Sequence, residues 1–447
     1  MRPTINLSKS FTRLLLIVPF LFVLSLHGCA VIKNLSLTSP AKPPAKPPTV
    51  EGVPEEKIER NDFSMAKEND VIGQLAFMKL QKGDTLPDIA RHFSLGITEV
   101  SEANPGVDLW VPGDEERIML PLSHILPDSP RKGIVINLAA MRLFQFRGDS
   151  RLPAVSTYPI GIGSVERPSP QGQMYVQRKT IRPTWHVPAS IAEDHRKKGD
   201  PLPAEVLPGP QNPLGEYALY LSKPSYLVHG TNKPYSIGLN ATNGCIRLYP
   251  ENIKKLYEST PVNTPVRIVN QPYLIGQHDG EVYIEVYALP GGRDTAELEK
   301  TYAKLRNIEK KSARTLDWKK IEEASAEARG IPVRISEIDQ GKGQGTAEAI
   351  EVKHPDKLYG RPEVPELKMG AWYVSAGEVR DKVDAMRLAA IINHQGPQIP
   401  ARVLPKSNGY RVVAGPFADI SEAKDAAKRL KIDLEIDGVL FELAKDK

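Results

Sequence analysis

One stretch of the chain combines residue types that could carry out nucleophilic chemistry. It reads "HGTNKPYSIGLNATNGCIRL", and His229 stands sixteen positions before Cys245 in it. A cysteine becomes a useful nucleophile when a base removes its proton or when its surroundings stabilise the thiolate. His229 ends one predicted strand and Cys245 opens another, so a turn of about a dozen residues could bring the two side chains together. The spacing permits this pair without requiring it, and a structural role for Cys245 on a buried strand stays open.

The neighbours of Cys245 add to the case for a site. Gly244 lets the backbone approach a substrate closely, and the amides of Asn243, Gly244 and Cys245 could donate to an oxyanion. Arg247 lies two residues after the cysteine, hence on the same face of a strand, where it could hold a substrate carboxylate or favour the thiolate. Against this, a lone cysteine and a lone histidine are more often structural than catalytic.

The N-terminus predicts export. Basic residues precede the apolar run "LLLIVPFLFVLSL", which is too short for a comfortable membrane span. The run ends in "LHGC", which resembles the bacterial lipoprotein processing box and implies that residues 1–28 are removed and Cys29 is lipidated. Ala30 is not acidic, so sorting to the outer membrane is expected. The alternatives are a plain secretory signal or a single anchor helix. If Cys29 carries lipid, Cys245 is an unpaired thiol in an exported protein.

The composition predicts several domains and no nucleic-acid partner. A chain of 447 residues suggests two to four domains. The net charge is +5, but basic residues are scattered without a dense block or interleaved aromatics. No HExxH motif and no CxxC pair occurs, so neither a metal nor another cofactor is predicted. The many prolines belong in linkers, and residues 29–75 are expected to form a proline-rich tether.

Residues 76–122 predict a small strand–helix–helix–strand unit. The segments "KGDTL", "IARHF", "ITEVSEANP" and "IMLP" follow one another within it. In this order they resemble the LysM module. The resemblance implies binding of glycans that contain N-acetylglucosamine, including peptidoglycan. The same apolar residues also form the core stripe of a helix.

The rest of the chain divides into three parts. Residues 131–270 show several short alternating runs, which indicate an antiparallel sandwich or barrel, with a helix after Cys245. Residues 271–365 read as a helical and polar connector. Residues 366–447 predict a ferredoxin-like βαββαβ order. The fold class is therefore multidomain, mainly β and α+β.

The C-terminal part resembles a known wall-binding domain. Its segments "YRVVAGPF" and "SEAKDAA" are similar to those of the SPOR domain. The resemblance implies binding to peptidoglycan glycan that has been stripped of stem peptides, at division sites. A generic interaction domain of the same fold is the alternative.

The central part resembles the YkuD-type L,D-transpeptidase catalytic domain. The segments that carry the resemblance are "PIGIGSVERPSPQGQMYVQRKTIRPTW", "PLGEYALYLS" and the opening stretch. The family has a β-sandwich fold. Its cysteine attacks the third residue of a peptidoglycan tetrapeptide stem and releases the terminal D-alanine. The acyl-enzyme then passes to an amine, which makes a cross-link or attaches a lipoprotein.

This resemblance assigns the catalytic residues. Carried over, Cys245 is the nucleophile and His229 the general base. The carbonyl of Gly230 orients the imidazole, and Gly244 is the glycine of the motif.

The resemblance also assigns contacts to the substrate. Thr242 corresponds to the serine or threonine that opens the motif, and Arg247 to its basic or amide residue. Asn243 stands where many members have a second histidine, and is expected to contact the substrate or the oxyanion. Trp185 lies where a loop covers the cleft in this family, so it is either an aromatic lid or a core residue.

Together these features predict a lipid-anchored periplasmic L,D-transpeptidase at the outer membrane. Its partners would be the stem peptides and glycan strands of peptidoglycan, the membrane through Cys29, and division-site or lipoprotein partners. One alternative is hydrolysis by the same cysteine, as an L,D-carboxypeptidase or an amidase that releases a lipoprotein. The other is a non-catalytic wall-binding scaffold at division sites.

Overall fold

The structure is a computed structural model, and it describes residues 60–66, 68–148, 153–312, 314–336 and 349–443. The predicted export signal, Cys29, Ala30 and most of the predicted tether lie outside these residues. All elements given below belong to the unit Gly52–Lys447. None of the helices in the described ranges has the length and apolar character needed to cross a membrane.

The first described part is a helical pair flanked by short strands. Along the chain, helices α1 and α2 lie between strands β3 and β4, in the order strand–helix–helix–strand. The two strands pair antiparallel. Helix α1 begins where the Thr85 hydroxyl accepts the N–H of Asp88. Leu86, Ile89 and Phe93 are fully buried in the core of this unit. The elements are β1 (Asp62–Ser64), β2 (Val71–Gly73), β3 (Ala76–Lys79), α1 (Leu86–His92), α2 (Ile97–Ala103), β4 (Arg117–Leu120) and β5 (Ser123–Ile125).

The predicted tether ends earlier than expected. Strand β1 pairs with a strand of the central sheet, in the register Asp62↔Ser156, and β2 pairs with β5. Phe63 and Ile72 are buried in one apolar cluster. Burial of these apolar side chains stabilises the two strands, which is why this segment is folded. The prediction of a tether up to residue 75 was therefore wrong for these two strands.

The central part is built on one nine-stranded sheet. The strands lie in the order β1-β8-β7-β6-β17-β10-β13-β14-β16, and β9 pairs with β15 beside it. The elements are β6 (Gly133–Asn137), β7 (Arg142–Arg147), β8 (Ala154–Pro159), β9 (Ile162–Gly163), β10 (Gly172–Ile181), β11 (Trp185–His186), α3 (Ala189–Lys197), β12 (Glu205–Val206), β13 (Tyr217–Leu221), β14 (Leu227–His229), a 3-10 helix (Pro234–Ser236), β15 (Asn240–Thr242), β16 (Ile246–Arg247), α4 (Pro250–Ser259) and β17 (Pro265–Val269).

The sheet is mixed, whereas the sequence predicted antiparallel strands. Strand β6 runs parallel to β17, and β14 runs parallel to β16. Alternation along a sequence reports which residues face the core, but it carries no information about the direction of the neighbouring strand. The predicted helix after Cys245 is α4, which begins with Pro250 at its first position and buries Ile253 and Leu256.

The region predicted as a connector contains a packed sheet. Strands β18, β19 and β20 are antiparallel, and α5 and α6 cover them. Ile284, Leu305 and Ile321 share one buried cluster. The alternation on both sides of Asp279–Gly280 is a hairpin signal that could have revealed this sheet. The elements are β18 (Tyr273–His278), β19 (Glu281–Val286), α5 (Thr295–Ser312), α6 (Trp318–Glu327), β20 (Val333–Arg334) and β21 (Ile350–Glu351).

The C-terminal part has the order β–α–β–β–α–β. Its four strands form one antiparallel sheet in the order β23-β24-β22-β25. Val374, Val412 and Leu430 lie in its core. The elements are β22 (Trp372–Val379), α7 (Lys382–Asn393), β23 (Ala401–Lys406), β24 (Gly409–Phe417), α8 (Ile420–Leu434) and β25 (Val439–Glu442).

The C-terminal part lies against the central and first parts. A Cβ atom added at Gly396 would stand 2.3 Å from the carbonyl oxygen of Asn232, in the loop that follows His229. On the other side, His394 Nε2 lies 3.1 Å from a carboxylate oxygen of Asp88 in α1. The C-terminal domain is therefore packed close to the chain that leaves the candidate site.

Candidate active site

Two neighbouring parallel strands carry the candidate residues. His229, at the end of β14, lies opposite Arg247 in β16, and Cys245 directly precedes β16. Residues opposite one another in a sheet project from the same face. The structure therefore brings the predicted histidine, cysteine and arginine to one edge of the central sheet.

The imidazole of His229 is fixed in one orientation. The residue is only 4% exposed, and Nδ1 lies 2.7 Å from the carbonyl oxygen of Gly230. Because a carbonyl can only accept, this bond places the proton of the neutral ring on Nδ1 and leaves Nε2 as the basic nitrogen. Gly230 thus makes the contact that the family resemblance implied for it.

The local electrostatics keep both members of the pair neutral. Burial lowers the pKa of His229 to about 3, and the positive charge of Arg247 adds to this effect. Backbone hydrogen bonds with Gly230 and Leu214 act in the opposite direction. Burial raises the pKa of the Cys245 thiol. A hydrogen bond from the Leu227 amide and the charge of Arg247 oppose this rise. At neutral pH the site therefore holds a thiol and a neutral imidazole.

The thiol of Cys245 is hydrogen-bonded to the backbone and not to the imidazole. Its Sγ donates to the carbonyl oxygen of Ser225 at 3.7 Å. In the described ranges no hydrogen bond joins Sγ to the ring of His229. Such bonds are often long or absent before substrate binds and form in the reactive complex. Proton transfer from this thiol therefore requires the bond from Sγ to Ser225 to be exchanged for one to Nε2.

A short turn presents the cysteine. The Thr242 hydroxyl accepts from the Gly244 N–H at 3.1 Å and donates to the Cys245 carbonyl at 2.6 Å. Gly244 has φ +98°, and a Cβ atom there would stand 2.8 Å from Cε1 of Tyr226. The turn accordingly needs glycine at this position. The Gly244 amide, one of the expected oxyanion donors, is already used by Thr242 within the turn.

The other residues predicted to contact substrate differ in burial and position. Thr242 is buried with its hydroxyl engaged inside the turn, while Asn243 is exposed. Trp185 is half-buried in a two-stranded ribbon, opposite Val206, within the excursion between β10 and β13. None of the described contacts of Trp185 reaches Cys245 or His229.

The sequence interpretation missed Arg167. Its guanidinium donates to the side-chain oxygen of Asn243 and also to a carboxylate oxygen of Asp194 in α3. Arg167 belongs to "VERPSPQG", a segment that supported the family resemblance, but no spacing rule links it to a turn 76 residues away. Across the described ranges, no group of three or more His, Cys, Asp or Glu side chains is placed to hold a metal ion.

Comparison with known proteins identifies the class to which this fold and site belong. Residues 131–268 match the model of the L,D-transpeptidase catalytic domain, YkuD, and residues 368–441 match the SPOR domain. The chain belongs to the L,D-transpeptidase family. The predicted family and the predicted C-terminal domain are both confirmed.

Several relatives from enteric bacteria are similar over most of their length. The probable L,D-transpeptidase ErfK/SrfK of Escherichia coli K12 is 39% identical over 233 residues, which cover 51% of this chain and 74% of that protein. The probable L,D-transpeptidase YbiS of the same organism is 39% identical over 221 residues, 48% of this chain and 71% of that protein. ErfK/SrfK of Salmonella typhimurium is 35% identical and is covered to 88%, against 60% of this chain. The NMR structure of the catalytic domain from an E. faecium L,D-transpeptidase is 20% identical and covers 32% of this chain and 99% of that one, with a TM-score of 0.24.

Proposed function

We propose that this protein is an exported L,D-transpeptidase that acts on peptidoglycan through a Cys245 acyl-enzyme. The observation that carries the proposal is the position of His229 on the strand beside Cys245, with Nδ1 bound to Gly230 and Nε2 left basic. Family membership supplies the reaction class, and this geometry supplies a base next to a thiol. The roles of Cys245, His229 and their neighbours given below are part of this proposal.

The first half-reaction forms a thioester. Nε2 of His229 takes the proton of the Cys245 thiol as Sγ attacks the carbonyl carbon between the third and fourth residues of a tetrapeptide stem. The bond between this carbon and the nitrogen of the terminal D-alanine then breaks. The leaving amine receives the proton from Nε2, so that free D-alanine departs and the imidazole is neutral again.

The second half-reaction releases the enzyme. An acceptor amine attacks the thioester carbon and gives a proton to Nε2, and the carbon–sulfur bond breaks as Cys245 recovers a proton. The product contains a new amide, either between two stems or between a stem and a lipoprotein. The neutral imidazole of His229 suits this sequence, because it accepts a proton in each half-reaction before returning it.

The neighbouring residues have supporting roles in this proposal. The charge of Arg247 favours the thiolate as it forms, since it already opposes the effect of burial on Cys245. Thr242 and Gly244 shape the turn that holds the thiol, and the amide of Cys245 is the candidate oxyanion donor. Asn243 is a contact at the substrate edge, and Trp185 is a candidate lid over the cleft.

The flanking domains would hold the enzyme on its polymer. We assign glycan binding to the LysM-like residues 76–122 and to the SPOR domain, with residues 131–270 as the catalytic domain between them. Attachment to the same glycan raises the local concentration of stem peptides near Cys245. The expected location is the periplasm, with Cys29 lipidated and the protein sorted to the outer membrane.

The reaction is tested with defined tetrapeptide muropeptides, the soluble protein and Cys245→Ala, followed by mass spectrometry. New dimers with direct links between diamino acids, absent with Cys245→Ala, support transpeptidation. Tripeptides without dimers would assign hydrolysis, as in an L,D-carboxypeptidase. No Cys245-dependent product would overturn both enzymatic readings and favour a wall-binding scaffold. His229→Ala should lower the rate by about 10²- to 10⁴-fold.

The anchor is tested separately, by fractionation of cells that produce Cys29→Ser. Loss of the protein from the membrane fraction supports lipidation at Cys29. Retention of the variant in the membrane fraction would contradict it.

A further inference from the structure

Arg167 joins two parts of the site that are held in place by contacts of different strength. One of its nitrogens donates to Asn243, two residues before Cys245, and another lies 2.5 Å from a carboxylate oxygen of Asp194 in α3. A guanidinium presents a planar fork of donors that fits a carboxylate. Asp194 therefore occupies the position on this fork that suits a carboxylate ligand.

The Asn243 side of this bridge is firmly built. The Ser164 N–H donates to the Thr242 carbonyl at 2.9 Å, so the Arg167 loop is bonded to the turn that carries the cysteine. The carbonyl oxygen of Pro168 would stand 3.2 Å from a Cβ atom at Gly244. The Arg167 loop is thus fixed against the turn that carries Cys245, and the side chain of Arg167 is bonded to Asn243.

The Asp194 side is weakly held. Helix α3, which carries Asp194, buries none of its side chains. The side chains of Arg167 and Asp194 are 37% and 44% exposed, and ion pairs with this exposure contribute little to stability. A competing carboxylate could therefore displace Asp194 at a small cost in free energy.

We propose that Arg167 binds a carboxylate of the stem peptide. In the free protein, the carboxylate of Asp194 occupies that position on the guanidinium. The inference rests on the proposed function, because a peptidoglycan stem supplies the anion. Asn243 is then a positioning residue that aims the guanidinium at the cleft. Arg247 has a different task, since it is opposite His229 and acts on the thiol and the imidazole.

The test measures kcat and KM for stem tetrapeptides with free carboxylates and for versions in which each carboxylate is amidated in turn. For the free form, Arg167→Gln should raise KM by about ten- to a hundredfold with little change in kcat. Amidation of the recognised carboxylate should raise the wild-type KM by a similar factor, and should have no further effect in Arg167→Gln. Asp194→Asn should lower KM for the free form severalfold.

The two variants separate recognition from a structural role. If Arg167 only fastened α3 to the turn, Arg167→Gln and Asp194→Asn would change KM in the same direction and for every substrate, which would overturn the inference. Arg196 also lies on α3 and, within the described part of the chain, its guanidinium pairs with Glu193 alone. Arg196→Gln is therefore the matched control and should leave KM unchanged. Thermal melts check that each variant is folded.

Failure of this inference is distinguishable from failure of the proposed function. Wild-type turnover that depends on Cys245, together with unchanged KM in Arg167→Gln, would overturn the carboxylate receptor alone. Absence of Cys245-dependent turnover on any of the substrates would overturn the proposed function, and the inference with it.

Discussion

His229 lies directly opposite Arg247 across the parallel strands β14 and β16. A buried imidazole next to a guanidinium resists protonation, which is why Arg247 adds to burial in lowering the pKa of His229 to about 3. The same charge favours the thiolate of Cys245. One arginine thus keeps the imidazole unprotonated, at the expense of its basicity, and favours loss of the proton from the thiol.

The reactivity of the thiol should follow from this pairing. Because burial raises the pKa of Cys245, the rate of alkylation by iodoacetamide should keep rising with pH, without a plateau near neutrality. Arg247→Gln removes a charge that stabilises the thiolate, so alkylation at pH 8 should slow by about tenfold. Mass spectrometry of the modified protein over time measures both effects.

The exposed Lys319 is the control for a general change in net charge, and Lys319→Gln should alkylate at the wild-type rate. A rate that is constant between pH 6 and 8 would instead mean that Cys245 and His229 rest as a thiolate and an imidazolium.

Gly244→Ala should inactivate the protein. A Cβ atom at φ +98° is strained, and this one would also stand 2.8 Å from Tyr226. The turn must shift, and a displacement of about 1 Å near a reacting atom can lower the rate by about 100-fold. Turnover and thermal unfolding of the purified variant measure the effect.

Gly106 provides a matched control, because it has φ +90° and, apart from its chain neighbours, none of the described residues has an atom within 4 Å of an added Cβ. Gly106→Ala should lose about 1–2 kcal/mol of unfolding free energy from strain alone and retain activity. Wild-type activity in Gly244→Ala would show that neither this strain nor the contact with Tyr226 matters.

Glu285 should make stability fall as pH rises. Its side chain is fully buried, and burial raises its pKa to about 8, while the unfolded chain has an ordinary carboxyl pKa. Between these values the folded state binds more protons, so ionisation at higher pH destabilises it. The slope approaches about 1.4 kcal/mol per pH unit between pH 5 and 7.

Glu285→Gln stays neutral and can still accept the N–H of Ile125. Its unfolding free energy relative to wild type should therefore increase from pH 5 to pH 8 in urea titrations. The exposed Glu258→Gln should show no such trend, and a constant difference between Glu285→Gln and wild type would disprove the assignment.

The Arg142–Glu99 ion pair should be essential for joining the first part to the central sheet. Two guanidinium nitrogens bind the Glu99 carboxylate at 2.6–3.1 Å, with side-chain exposures of 1% and 10%. Arg142→Met leaves a largely buried carboxylate without its cation and should cost about 3–5 kcal/mol. Chemical unfolding measures this loss.

Two further variants check the cause. Glu99→Leu added to Arg142→Met should restore part of the stability, because no unpaired charge is left. The pair Lys79–Glu115, with exposures of 66% and 70%, is the control, and Lys79→Met should change stability by less than about 0.5 kcal/mol. A similar loss of unfolding free energy in Arg142→Met and Lys79→Met would contradict the expected effect of burial.

The sequence by itself determined the local features of this protein. Residue types and short spacings permitted a Cys245–His229 pair, and the resemblance of whole sequence segments identified the family and the SPOR domain, because such motifs are properties of neighbouring residues. They also predicted α4 and the order of elements in the first and last parts. The Asp279–Gly280 hairpin could have been found in the same way.

The tertiary structure decided what depends on residues far apart in the chain. The pairing of Phe63 with Val155 turned part of a predicted tether into an edge strand, and the direction of β16 relative to β14 placed Arg247 opposite His229. The Arg167–Asn243 bond likewise joins two loops that only the sheet brings together. Such contacts form where folding places two segments side by side, and no local pattern encodes that meeting.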